Sequence, residues 1–191
     1  MLKATEVLRQ EHEVILKMLD ATEELARQLT AGRRVEPRVL DGLQEFLRLF
    51  ADQCHHGKEE DLLFPKLEQK GMPRQAGPIG VMLIEHDQGR AWIRQMMQAS
   101  AAYAQGRPEA PSNWANAARG YAALLRDHIA KENNILFVMA ERMLSPEEQS
   151  ELSAQFERAE LEKMGPGTHE RLHGLMDELL AEIWKEQAVT R

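Results

Sequence analysis

Paired histidines and glutamates are the residues of this sequence best suited to do chemistry. The stretch from Cys54 to Phe64, CHHGKEEDLLF, offers two overlapping pairs, His55 with Glu59 and His56 with Glu60, and residues four apart share one face of a helix. A second stretch, HIAKENNILF from His128, repeats only one of these pairs. His55, Glu59, Leu63 and Phe64 are matched at a constant offset by His128, Glu132, Leu136 and Phe137, whereas Ile129 and Asn133 follow the second histidine and glutamate. The repeat therefore selects His55 and Glu59 as the inward pair and leaves His56 and Glu60 at a helix flank. LRQEH, ending at His12, is likewise similar to MLIEH, ending at His86.

The resulting set is His12, His55, Glu59, His86, His128 and Glu132. A lone histidine on an apolar helix face is most often a satisfied core residue, but that reading fails for the set. Two ionised carboxylates in a core cost several kcal/mol each unless cations pair with them. The charge is expected from metal, not from lysine or arginine. Imidazole with carboxylate suits iron, manganese or zinc. Four imidazoles and two carboxylates able to bridge exceed what one tetrahedral zinc takes, and they form a natural set for two metals.

These side chains need long helices to position them, and the periodicity supplies such helices. Leu8, His12, Ile15, Leu19 and Ala26 place a helix over 2–30, with Gly32 suited to its exit. A second helix runs from Pro37 through Leu40, Leu43, Leu47 and Phe50 into the opening stretch, and Pro65 is expected to kink or stop it. A third begins near Pro78 and ends around AQGRPEAPS. Ser112 caps a fourth over about 113–144. SPEEQ, with Ser145 as cap and Pro146 in the first turn, starts a fifth, and after MGPG a sixth runs from Thr168 to Glu186. The expected fold is all-α, an antiparallel up-down-up-down four-helix bundle over 1–144 with two additional C-terminal helices over 145–191, packed on or beside it.

A formal charge of −7 gives no electrostatic reason to bind nucleic acid or an anionic membrane. Cys54 is the one cysteine, which excludes an intrachain disulfide and a thiolate-rich metal cage. The amphipathic N-terminus lacks the pattern of a signal peptide, and no apolar run reaches the length of a bilayer span. A soluble cytoplasmic protein, monomer or homodimer with its protein partner unknown, is the expectation.

At the repeated residues the chain resembles the hemerythrin-like, or HHE cation-binding, family. The resemblance covers roughly residues 1–144, and HxxxEExxLFP, here His55 to Pro65, is close to a family signature. It implies two non-haem irons, with His12 and His55 on one, His86 and His128 on the other, and Glu59 and Glu132 bridging beside an oxo or hydroxo group. One open position on each iron would then receive O2, NO, peroxide or water. Zinc or manganese are the alternative metals.

The sequence departs from the oxygen-carrying members. Arg90 stands where they carry a second histidine on the third helix, and His128-x3-Glu132 replaces their H-x4-D. The six-ligand pattern is closer to bacterial hemerythrin-like proteins and to di-iron proteins of nitric oxide stress and iron-sulfur cluster repair, which typically add a cysteine-containing N-terminal domain that this sequence does not show. The functional expectation is a protein that binds a small ligand for sensing, storage or detoxification. The alternatives are an enzyme that reduces peroxide or NO or aids cluster repair, and a metal-handling bundle without turnover.

Several lesser signals have plain readings. Glu11 and Glu85 precede the histidines of both copies; an acceptor that orients an imidazole is one reading, but adjacent helical residues point about 100° apart, and solvated helix faces are the expectation. Arg90 is expected along the bundle surface and Cys54 as a small buried hydrophobe. His169 and His173 form an H-x3-H pair without carboxylates at a defined offset. Met96, Met97, Met139, Met143 and Met176 are expected to fill the core.

Overall fold

The computed structural model describes residues 2–185, and within them the chain forms six helices and no strand. Helix α1 spans Ala4–Thr30, α2 37–69, α3 Pro78–Ala104, α4 110–143, α5 Pro146–Met164 and α6 Thr168–Trp184. The expected end of the last helix at Glu186 lies outside the described residues. Helices α1 and α3 both pack along α4, and α2 packs along α3 and touches α1, which closes a four-helix bundle. Gly120 on α4 lets the Trp92 ring of α3 lie where a Cβ would stand 2.8 Å from it. No described helix is long and apolar enough to cross a membrane.

Two expected boundaries are corrected. α4 begins at Ala110, not near 113, because Pro111 fits the first turn and Ser112 lies inside it. Pro65 does not stop α2, which continues to Gln69. A π-helical turn over Glu59–Leu63 precedes it, and the α-helical hydrogen bonding restarts at Phe64, so Pro65 occupies a first-turn position where its missing N–H costs nothing. Its counterpart in α4 is a π-helical turn over Glu132–Leu136. A further π-helical stretch, Leu47–His56, lies only in α2.

The core has two parts. One joins Phe46, Phe50, Trp114 and Tyr121 with Leu172, Met176, Leu179 and Ile183 of α6. The other joins Leu8, Phe64, Ile79 and Phe137 with Leu152 and Phe156 of α5. Met96 and Met176 are buried as expected, but Met97 is exposed, because its neighbour Met96 takes the inward position on α3.

Candidate metal centre

Between the two apolar clusters the bundle encloses a polar layer. His12, His55, Glu59, His86, His128 and Glu132 are each 1% exposed or less and meet there. Both π-helical turns begin at the glutamates, Glu59 in α2 and Glu132 in α4, and such turns inside α-helices recur at functional sites. The leucine–phenylalanine half of the repeat packs against the layer. Phe64 stacks beside His86 with ring centroids 6.0 Å apart, and Phe137 beside His12 at 5.4 Å.

Each carboxylate faces one histidine from each half. Glu59 turns Oε1 toward His55 Nε2 at 3.7 Å and Oε2 toward His86 Nε2 at 3.5 Å. Glu132 Oε2 lies 3.1 Å from His12 Nε2 and 3.2 Å from His128 Nε2. Potential donor atoms of His12, His55, Glu59 and Glu132 converge within 4.8 Å of one another, and those of His56, Glu59, His86 and His128 form a second such group that shares Glu59.

Around these atoms stands a second layer. His55 Nδ1 donates to Glu11 at 2.8 Å, His86 Nδ1 to Glu60 at 2.7 Å and His128 Nδ1 to Glu85 at 3.0 Å. His12 Nδ1 donates to Asn133 Oδ1 at 3.0 Å. These acceptors place the proton on Nδ1 and leave the Nε2 lone pair pointing into the centre. A cation holds each acceptor in turn: Lys58 on Glu11, Lys131 on Glu85, Arg90 on Glu60 and Arg9 on Asn133.

Four sequence expectations are thereby corrected. Glu11 and Glu85 do not sit on solvated faces, because a residue adjacent to a helical histidine turns toward the next helix, where it meets that helix's histidine. Glu60 is not at an idle flank but orients His86. His56 is 3% exposed and enters the cluster, since the wider π-helical winding of α2 turns both histidines of the doublet inward. Arg90 does not snorkel freely; it pairs with Asp52, Glu60 and Asp87. Part of the signal was present in the sequence, because Lys58 is repeated by Lys131, and Asn133, another acceptor, stands in the place of Glu60 at the same offset as the histidines.

The electrostatics compensate one inner carboxylate and not the other: at Glu132 burial is outweighed by His128 and His12, which hold it well below the usual carboxylate range while His128 rises to about 9, whereas Glu59 has no such cation. All four oxygens of Glu59 and Glu132, with Nε2 of His12 and His55, are buried without a hydrogen-bond partner among the described residues. Burial and the charge of Glu132 push the Glu59 carboxyl well above the usual carboxylate range. Burial, with His12 nearby, lowers His55 to about 4. At Glu11 burial is outweighed by His55 and Lys58, which bring its carboxyl down to about 2. Orphaned carboxylate oxygens facing imidazole lone pairs are what a cationic metal centre satisfies, so the residues present fit one.

Cys54 sits beside the second layer, its Sγ within 4.8 Å of carboxylate oxygens of Glu11 and Glu160, and His169 and His173 lie on α6. Cys54 is buried, its Sγ is 3.6 Å from Glu160, and burial pushes its thiol up to about 12. It is a packed neutral thiol. His169 and His173 pack against Phe50 at 6.0 and 5.8 Å.

The hemerythrin HHE cation-binding domain matches residues 3–140. The chain is 37% identical over 126 residues to the iron-sulfur cluster repair protein YtfE of Salmonella schwarzengrund, covering 61% of this chain and 56% of that protein. The same identity and coverage hold for the iron-sulfur cluster repair proteins YtfE of Escherichia coli O139:H28 and Shigella boydii serotype 18. The chain thus spans little more than half the length of these curated relatives.

Proposed function

The chain belongs to the hemerythrin HHE cation-binding domain family, and on that premise we propose that it is a non-haem di-iron protein acting in the repair of iron-sulfur clusters. In this reading His12 and His55 hold one iron, His86 and His128 the other, and Glu59 and Glu132 lie between them, within an up-down-up-down bundle over 1–144 to which 145–191 are an extension. When bound, such an iron pair supplies one-electron redox chemistry and positions for O2, NO or peroxide.

The observation that carries the iron reading is the division of each fully buried carboxylate between the two histidine pairs. The chain's own residues supply the rest. Glu11, Glu60, Glu85 and Asn133 fix the imidazoles so that Nε2 faces inward, and the two apolar clusters exclude bulk water from either side. Similarity to proteins named for iron-sulfur cluster repair favours repair over oxygen carriage as the purpose of the centre. We place the chain in the cytoplasm.

The test is recovery of activity by a [4Fe–4S] enzyme inactivated with NO or peroxide. Iron-loaded protein is expected to restore it, and Glu59→Ala and Glu132→Ala are expected to abolish the effect. Spectral changes with NO or O2 but no recovery would contradict repair and return the protein to ligand binding alone. Purified protein that holds only zinc or manganese and takes up no iron would contradict both.

A further inference from the structure

His169 and His173 are the two histidines that the buried layer does not use. They stand one turn apart at the start of α6, so both rings project from the same face of the helix. Both side chains are half-buried, open enough for a solute to reach. Phe50 of α2 packs against the pair, its ring centroid 6.0 Å from that of His169 and 5.8 Å from that of His173, which narrows the directions the two rings can take. No hydrogen bond joins either ring to another described residue.

The two rings have the geometry of a chelating pair. Imidazole nitrogen binds zinc or an ion of similar size at about 2.0–2.1 Å, which puts each ring centroid about 3.2 Å from the ion and the centroids of two rings bound at a right angle about 4.6 Å apart. The centroids of His169 and His173 are 4.5 Å apart, and their planes are inclined by 51°. Planes inclined in this way intersect, so one ion can lie in both, as bonding through the in-plane lone pair of each imidazole requires.

The surroundings favour neutral imidazoles beside a cation. Burial and the neighbouring His169 lower His173 from its ordinary value, and the carboxylates of Asp177, Glu160 and Glu170 act in the opposite sense. Lys163 and Arg171, basic residues of the flanking sequence, are turned to Asp61 and Glu45 instead.

We propose that His169 and His173 form a second metal site, on the surface and separate from the buried centre, for a late first-row divalent ion: copper(II), nickel(II) or zinc(II). Imidazole suits these ions, and copper(II) binds such donors most tightly. Water completes the coordination. An ion held there ties together the first two turns of α6, directly after the 165–167 connection, and stabilises the folded chain by mass action. The site is independent of what the buried centre holds.

The probe is copper(II), added in one equivalent to the protein as purified and followed by equilibrium dialysis, electron paramagnetic resonance and the thermal unfolding midpoint. The wild type is expected to take up one copper per chain, to show coupling to two imidazole nitrogens, and to unfold at a higher temperature than without copper. His169→Ala and His173→Ala, with folding checked by far-UV circular dichroism, are each expected to lose the two-nitrogen signal and the rise in midpoint while keeping the metal content of the buried centre. A wild type that takes up no copper would overturn the site. The same signal and midpoint rise in both variants would assign the copper to other imidazoles and overturn it equally.

Discussion

Lys58 and Glu11 illustrate how much of the site lies one bond beyond its ligands. Lys58 is 3% exposed and bonds both Glu11, which orients His55, and Glu160 of α5. Lys58→Ala would leave Glu11 an uncompensated buried charge, and breaking such a pair costs about 3–5 kcal/mol. Denaturant unfolding of the metal-free protein should show a loss of that size, and a loss below 1 kcal/mol, the scale of an exposed pair, would contradict the account. Glu11→Gln should fold and bind metal about 10–100-fold more weakly in chelator competition. The inward direction of His55 and Glu59 was legible in the repeat. The orienting groups are legible only in part: Lys58 and Lys131 share the offset of the histidines, but the periodicity of α1 alone does not show that Glu11 meets His55 of α2. His56, whose counterpart is Ile129, is not legible from the repeat, which reports only what both halves share.

At the scale of elements, the caps were legible and the π-helical turns were not. Ser145 and Glu148 form the expected capping box, Ser145 N–H donating to Glu148 Oε2 at 3.0 Å and Glu148 N–H to Ser145 Oγ at 3.3 Å. Lys70 and Lys66 approach the same carboxylate at 2.8 and 3.1 Å, tying the start of α5 to the end of α2. Lys70, the cap and Lys66 hold Glu148 down to about 2. A carboxyl lowered on folding contributes stability that is present above its ordinary value near 4.5 and is lost as pH falls toward 2. Wild type is therefore expected to exceed Glu148→Gln in stability at pH 6, with the gap closing as pH falls from about 4.5 to 2. A gap that stays constant over that range, followed by thermal unfolding, would remove the electrostatic contribution. The winding of 47–56, 59–63 and 132–136 escaped the periodicity because an α-helical period assumed throughout cannot register an inserted residue. Pro65, expected to kink or stop α2, falls just after one such turn.

Across the whole molecule, a polar layer lies between two apolar clusters, and the C-terminal helices complete both. Leu172, Met176, Leu179 and Ile183 enter one cluster, and Leu152 and Phe156 the other. α5 and α6 therefore pack on the bundle, a choice their amphipathic patterns left open because the patterns show a buried face without showing what it meets. Phe156→Ala is expected to cost about 3–5 kcal/mol, seen as a lower midpoint of chemical unfolding, and a cost below 1 kcal/mol would mean that α5 is not part of the core. The general bundle was legible because long amphipathic stretches alternate with glycine- and proline-bearing connections. The central claim is that the enclosed donors hold two irons through shared carboxylates, and iron quantification with Mössbauer spectroscopy on anaerobically reconstituted protein tests it most directly. Two irons per chain, magnetically coupled and reduced to one or none by Glu59→Ala, is the predicted result. A single iron, or an iron content that Glu59→Ala leaves unchanged, would contradict it.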